Sequence, residues 1–351
     1  MGLIVSGLIG FSTSLLFAYI LYWLDRYEKE PLLLLGGVFL WGAVIAAGSA
    51  FIINTFLGLG IYIFTNSSIL TDIATGSVVA PLVEETLKGL AVLAVFLAFH
   101  SEFDSILDGI IYAGVAALGF AATENTYYIY TYGFQQSGWS GLLSLTFIRI
   151  ILVGWQHPFY TAFFGIGLAI ARLNKNMAVK VFAPLLGLAA GMFAHGLHNT
   201  IAAILPSGFL GTLIGTAIDW TGWIVMFITI IWATWQEQQN LKKYLSTEVQ
   251  AGTISPAQFR TASSGWLQMF ARITAVFTGK YSETARFYQV CGEYAHKRRQ
   301  YDRVGDEGGN LVRIQKLRIE MVQLARAATF AILLIVVKSS EPAPVAQWTE
   351  R

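Results

Sequence analysis

Through its first 235 residues the chain alternates long apolar runs with short polar connections. Runs of about 20 apolar residues are long enough to cross a bilayer as helices. Seven such segments are predicted, at 2–24, 32–58, 74–99, 107–132, 141–172, 178–205 and 208–235. The fifth is too long for one straight crossing, which predicts a tilt, a kink near Pro158 or an extension out of the bilayer. The first has no basic flank before it and no small-residue cleavage site after it, so it reads as a retained helix. From 236 to about 337 the periodicity is that of soluble helices. A helix runs into a Gly-containing break, Ser255-Pro256 opens another, and the stretch around Gly308-Gly309 separates the arms of a helical hairpin. Residues 328–337 are apolar but too short to span, and 338–351 read as a disordered tail.

The fold expected is all-α: a polytopic transmembrane bundle of about seven spans over 1–235, a cytoplasmic helical region over 236–337, and the tail. Composition agrees, with 55% apolar and only 13% charged residues in 351; soluble domains run near 25% charged. A net charge of +2 conceals a split. Residues 1–235 carry 7 Lys/Arg against 11 Asp/Glu, and the remainder 16 against 10. Basic residues collect in cytoplasmic connections. Arg26 and Lys29 follow the first span, Arg172, Lys175 and Lys180 follow the fifth, and the connections near 59–73, 133–140 and 206–207 have none. This places the N-terminus outside and the C-terminus in the cytoplasm of a multi-pass cell-membrane protein. Tyr127, Tyr128, Tyr130 and Tyr132 then fall at an outer interface. One cysteine, Cys291, excludes an internal disulfide.

Charges inside the spans need a cause, because each costs roughly 2.5–3.5 kcal/mol at a bilayer centre on insertion scales. Glu84, Glu85 and Lys88 lie in the third span, Glu124 and Asn125 in the fourth, Arg149 and His157 in the fifth, His195, His198 and Asn199 in the sixth, and Asp219 in the seventh. At 1.5 Å per residue, Glu84 and His195 fall about 15 Å, and Glu124 about 12 Å, below the outer ends of their helices. Asp219 is similar and His157 somewhat deeper. Helices of alternating direction therefore bring these groups to one layer in the outer half of the membrane. Glu84 and Lys88 share a helix face, as do His195 and Asn199, and His157 and Thr161. Gly154, Gly165, Gly191 and Gly196 permit close packing there.

A glutamate can take a proton from water, imidazoles with a further glutamate can hold zinc, and Asn, Arg or Lys can stabilise an oxyanion. Each residue alone has a plainer reading. A Glu–Lys pair can neutralise itself and join helices. His198 and His100 read as packing or interface residues, Asp104 and Asp108 as interface residues, and Asp219 with Arg149 as a structural ion pair. Co-location of Glu84, Glu85, Glu124, His157 and His195 favours a functional site.

"EETLK" (84–88), "DGIIYAGVAALGFAATENTYY" (108–128), "HPFYTAFFGIGLA" (157–169) and "HGLHN" (195–199), in that order on successive helices, resemble the PrsW family of intramembrane proteases. "LDRYEKEP" (24–31) is also similar to that family's opening segment. The wider group includes CAAX prenyl proteases and is marked by Glu-Glu, Phe-x-x-x-His or Phe-x-x-x-Glu, and His-x-x-x-Asn motifs. Here these are Glu84-Glu85, Phe120-x-x-x-Glu124 and His195-x-x-x-Asn199. The resemblance covers about residues 20–205. It implies endoproteolysis of membrane-anchored substrates, such as anti-sigma factors, on the extracytoplasmic side.

The expected catalytic set is Glu84, Glu85, Lys88, His195 and Asn199. Two mechanisms stay open. Glu124, His157 and His195 can hold zinc, or Glu84 or Glu85 can act as a metal-free base with His195 and Asn199 on the oxyanion. The expected partners are a membrane-anchored protein and the lipid bilayer, with no nucleic acid. The alternatives are CAAX-type processing and a proton-coupled transporter or channel. No internal repeat of the transporter kind is present.

Overall fold

The structure is a computed structural model that describes residues 1–205, 208–306 and 309–336. The tail at 338–351 lies outside the described residues, which hold helices and no strand. The chain divides into two compact units, the first Met1–Trp235 and the second beginning at Gln236.

In the first unit, α1 (Gly2–Leu24) and α2 (Leu32–Thr65) are apolar almost throughout. A short helix, Ser68–Ala74, and a π-helical stretch, Thr75–Val79, lead into α3 (Ala80–Ala98). Helix α4 (Ile106–Tyr128) is opened by a capping box in which Ser105 and Asp108 satisfy each other's backbone N–H. Asp108 is thus the third helical residue, which completes the cap that Ser105 makes on the central helix. It is followed by α5 (Gln135–Thr146), α6 (Gln156–Arg172), α7 (Met177–Ile204) and α8 (Phe209–Gln250).

Among the described residues, five helical runs are long and apolar enough to cross a membrane: Gly2–Leu24, Leu32–Thr65, Ile106–Arg172, Met177–Ile204 and Leu210–Gln250. The seven expected segments map onto these with two differences. The fourth and fifth fall in the single run Ile106–Arg172, which leaves helical geometry at Ser137 and Gly138. The third, α3, carries Glu84, Glu85 and Lys88 and is less apolar for that reason. The expected kink near Pro158 is a break just before it, where Val153 leaves helical geometry and α6 starts at Gln156. Proline is tolerated in a first turn, where its missing N–H has no helical partner.

Helix α4 is the centre of this unit, with almost every side chain from Leu107 to Ala122 buried. Small residues let its neighbours approach. A Cβ on Gly109 of α4 would strike the carbonyl of Gly165 on α6, and one on Gly165 would strike that of Gly109. Two π-helical stretches present carbonyls to other helices. Thr123 donates to Ala43 O at 2.6 Å in the stretch Trp41–Ala46, and Asn199 donates to Gly76 O at 2.8 Å in Thr75–Val79. A π turn displaces carbonyls from the regular ladder and so leaves them free to accept.

The second unit begins within α8 and adds α9 (Pro256–Ala262), α10 (Gly265–Phe277), α11 (Tyr281–Val304) and α12 (Asn310–Val336). Gly252, at φ +72°, ends α8, and Ser255 with Gln258 forms the capping box of α9. The hairpin of α11 and α12 turns through Gly305 and Gly309, both at positive φ. Its core holds Phe287, Tyr288, Cys291 and Met321.

Candidate active site

Helix α3 supplies three charged side chains from one and a half turns, and all three are buried. Glu85 is saturated. Its Oε1 accepts from Lys88 Nζ at 2.5 Å and His195 Nδ1 at 2.9 Å, and its Oε2 from Thr161 Oγ1 at 2.7 Å. Glu84 differs. Its Oε1 accepts a long bond of 3.4 Å from Asn54 Nδ2, and its buried Oε2 has no hydrogen-bond partner among the described residues. Lys88 Nζ lies 4.0 Å from that oxygen and His195 Nε2 lies 3.9 Å from it. A carboxylate only accepts, so Nδ1 of His195 carries the proton given to Glu85. Nε2 is then an acceptor turned toward Glu84, and it donates only when the ring is an imidazolium.

His157 stands in the first turn of α6 because the helix restarts there after the break. Its Nδ1 is 3.2 Å from Lys88 Nζ and its Nε2 2.9 Å from Glu124 Oε2. The ammonium donates to Nδ1, so Nε2–H donates to Glu124. Glu124 is also paired with Arg149, whose Nε donates to Asn125 Oδ1 at 2.8 Å and whose guanidinium lies over Tyr128. Lys88 lies 4.6 Å from the Phe120 ring centre, so an aromatic face completes the ammonium's surroundings.

These groups surround a cavity of about 910 Å³. Glu84, Glu124, His157, His195, Asn199 and Arg149 line it, whereas Glu85 and Lys88 lie behind the wall. The structure therefore separates two adjacent glutamates into one that faces the cavity and one that holds its neighbours. Asn199 uses one amide N–H on Gly76 O and has one left. Asp219 and Arg149, expected as an ion pair, are not partners. Asp219 accepts from His198 Nδ1 at 2.8 Å, and Arg149 belongs to Glu124. Tyr127, Tyr128 and Tyr132 pack on one another and line the cavity.

Three contributors were missed by the sequence reading. Asn54 is a single amide in an otherwise apolar helix, and that was its signal. Tyr160 stacks on His195 with ring centres 4.7 Å apart, and nothing in its type announced this. Gln156 accepts from Trp223 Nε1 at 3.0 Å and so links α6 to α8. Thr161 had been placed on His157's face, but its partner is Glu85.

Comparison with known proteins decides the family. Residues 30–233 match the family described as PrsW family intramembrane metalloprotease. The chain belongs to the PrsW family. It is 30% identical over 179 residues to Protease PrsW of Geobacillus kaustophilus (strain HTA426), covering 51% of this chain and 71% of that one. It is 25% identical over 232 residues to Protease PrsW of Bacillus subtilis (strain 168), covering 65% and 90%. With Protease PrsW of Clostridioides difficile (strain 630) it is 34% identical over 114 residues, covering 32% and 46%. No solved structure matches. The chain is thus a membrane peptidase, and its second unit lies beyond the PrsW match.

The family description implies a metal, and the side chains present fit one. Ligand atoms of Glu84, His157 and His195 lie within 4.8 Å of one another, and a carboxylate with two imidazoles is a donor set suited to catalytic zinc. The partnerless Glu84 Oε2 and the proton-free His195 Nε2 offer lone pairs. Glu84 stands here in place of the expected Glu124, which Arg149 and His157 occupy. His157 would exchange one of its two present bonds for the ion.

Proposed function

We propose that the protein hydrolyses peptide bonds of membrane-anchored protein substrates, with Glu84 as the group that accepts a proton from the attacking water. The observation that carries this is the contrast between the two glutamates. Glu85 has three donors on it, while Glu84 lines the cavity and its buried Oε2 accepts no hydrogen bond among the described residues. A carboxylate oxygen short of donors keeps a lone pair for the proton of an attacking water. Glu85 fixes the His195 tautomer and balances Lys88. The imidazole can receive a proton at Nε2 and pass it toward a leaving amine. The remaining N–H of Asn199 and the guanidinium of Arg149 line the same wall and suit an oxyanion. In the alternative in which Glu84, His157 and His195 hold a zinc ion, their lone pairs would be committed to it, and the ion, in place of Glu84 and His195, would activate water and polarise the scissile carbonyl.

A metal-free reading is favoured by one observation: the Lys88 ammonium already stands 3.2 Å from His157 and 4.0 Å from Glu84. Cleavage near the extracytoplasmic side is supported by the depth of the polar layer and by basic residues at 172–180 and in the 236–351 segment. An anti-sigma-factor-like substrate is supported by the family resemblance alone. Seven crossings, a transmembrane protease domain over 1–235 and a cytoplasmic C-terminus complete the proposal.

The test is cleavage of a single-span substrate by purified enzyme in proteoliposomes. Glu84→Gln is expected to insert, fold and bind substrate without cutting it. Turnover at the wild-type rate would end the assignment. For topology, cysteines at Gly138 and Asn176 in a Cys291→Ser background are expected to label from opposite faces. Labelling of both from outside would refute seven crossings.

A further inference from the structure

Helix α10 is inside out for a soluble helix. Its exposed side chains are Trp266, Phe270, Ile273, Val276 and Phe277, all apolar, with Phe277 at 85% exposure. Its buried face is Gln268, Ala271 and Ala275. Trp266, Phe270, Ile273 and Phe277 are spaced by four, three and four residues, so they form one stripe along the helix. A soluble helix turns that stripe to its core.

Two further observations identify what covers the stripe. The first is charge. Residues 251–282 contain Arg260, Arg272 and Lys280 and no Asp or Glu. The second is position along α8. Gln238 Nε2 donates to Ser263 O at 2.9 Å, and Ser264 is the N-cap of α10. Gln238 lies three residues beyond Trp235, where the last apolar run ends. The start of α10 is therefore pinned within about one turn of the point where α8 leaves the hydrocarbon.

We propose that α10 is an interfacial helix, lying in the headgroup layer of the leaflet from which α8 emerges, with Trp266, Phe270, Ile273 and Phe277 inserted among the acyl chains. Helices that lie in this layer combine an apolar face bearing Trp, Phe and Leu with basic neighbours that attract anionic lipid. Trp266 at the start of the stripe is the residue type favoured at this depth. A soluble partner or a second copy of the chain would not require α10 to begin at the exit level of a spanning helix. The bilayer does, because it is there wherever α8 is.

The experiment uses the full chain in phosphatidylcholine vesicles with and without phosphatidylglycerol. In a Cys291→Ser background, an environment-sensitive fluorophore is attached to Phe270→Cys or Ile273→Cys. Thr247→Cys, some 18 Å beyond Trp235 along α8, is the aqueous control. At the two α10 positions the label is expected to emit at shorter wavelength, to be quenched several-fold more by spin-labelled lipid than at the control, and to resist iodide. Anionic lipid should strengthen all three effects. Labels at both positions that iodide quenches as readily as the control would overturn the proposal. Shielding from iodide without quenching by lipid would also overturn it, and if that shielding rose with protein density it would assign the stripe to a second copy. Two label positions keep the test readable should one side chain be needed for folding.

Discussion

Leu33 and Phe64, in the region before Trp235, are 88% and 92% exposed, while Lys88 and Glu85 in the same region are fully buried. In the region from Gln236 the arrangement is the usual one. Phe287, Tyr288 and Cys291 are buried, and Arg286 and Glu320 meet as an exposed ion pair. The first region is built for a hydrocarbon solvent, so its polar groups must satisfy one another inside. The second packs an aromatic core of its own, although it too buries Lys297 and Arg299, and α10 stands apart in that every exposed side chain on it is apolar. In the first region polar burial is therefore where chemistry can be housed, and each inward charge needs either a partner or a task.

Glu84 and Glu85 put that statement to its strongest test. Glu85→Gln removes the anion that balances Lys88 and orients His195. Breaking a buried pair from one side costs about 3–5 kcal/mol, so this variant is expected to lose both stability and activity. Compared in metal-free enzyme, Glu84→Gln removes a carboxylate with a single long hydrogen bond, so its melting temperature should stay near that of the wild type. Its cleavage rate should still fall by about 10²–10⁴-fold, the range for a lost general base. Matching the two in thermal unfolding and in cleavage separates a carboxylate that holds the site from one that acts in it. If Glu84→Gln destabilised as much as Glu85→Gln, both would be structural.

The metal sharpens the comparison next. An ion held by Glu84, His157 and His195 would join α3, α6 and α7, and a ligand that binds only the folded state stabilises it by about 2.7 kcal/mol at one hundred times its Kd. Chelation is then expected to lower the melting temperature of the first region and to stop cleavage, with both restored by zinc. His157→Ala should lower the bound metal measured by elemental analysis. Undiminished cleavage by metal-stripped enzyme would assign water activation to Glu84 alone.

Much of this was legible in the residues. The apolar runs, the helix start at Ser255-Pro256 and the shared depth of Glu84, His157 and His195 follow from periodicity, turn chemistry and rise per residue, whereas Asp108, read as an interface residue, proved to belong to a capping box. What could not be read was rotation about each helix axis. Glu84 and Glu85 are adjacent, and only packing of α3 against α6 and α7 decides which faces the cavity. The same holds for Asp219, whose partner proved to be His198 rather than Arg149. Glu124 was expected as a metal ligand, but Arg149 and His157 both engage its Oε2. The π-helical stretches Trp41–Ala46 and Thr75–Val79 shift register by part of a turn each, and no composition signal marks them.

The region from Gln236 yields the smallest effect and a pH signature of its own. Glu248 on α8 is buried and joins two other helices, accepting from Arg318 Nε at 2.8 Å on α12 and Tyr294 Oη at 2.5 Å on α11. Burial alone pushes its carboxyl up, but the hydrogen bonds from Arg318 and Tyr294 outweigh it, and the net shift is downward. A depressed acid stabilises the fold above its unfolded pKa of about 4.3 and loses that contribution as pH falls through the folded value, which lies lower. Glu248→Gln keeps the shape and removes the charge, at a cost of about 1–3 kcal/mol for hydrogen bonds to an ionised group. Backbone hydrogen exchange across residues 236–336 should therefore show the variant less protected than wild type at neutral pH. The gap should begin to narrow as pH falls below the unfolded value of about 4.3 and close once pH has passed the lower folded value, because the wild-type carboxylate is then neutral as well. A gap that stays constant with pH would mean that Glu248 contributes through shape and not through its charge.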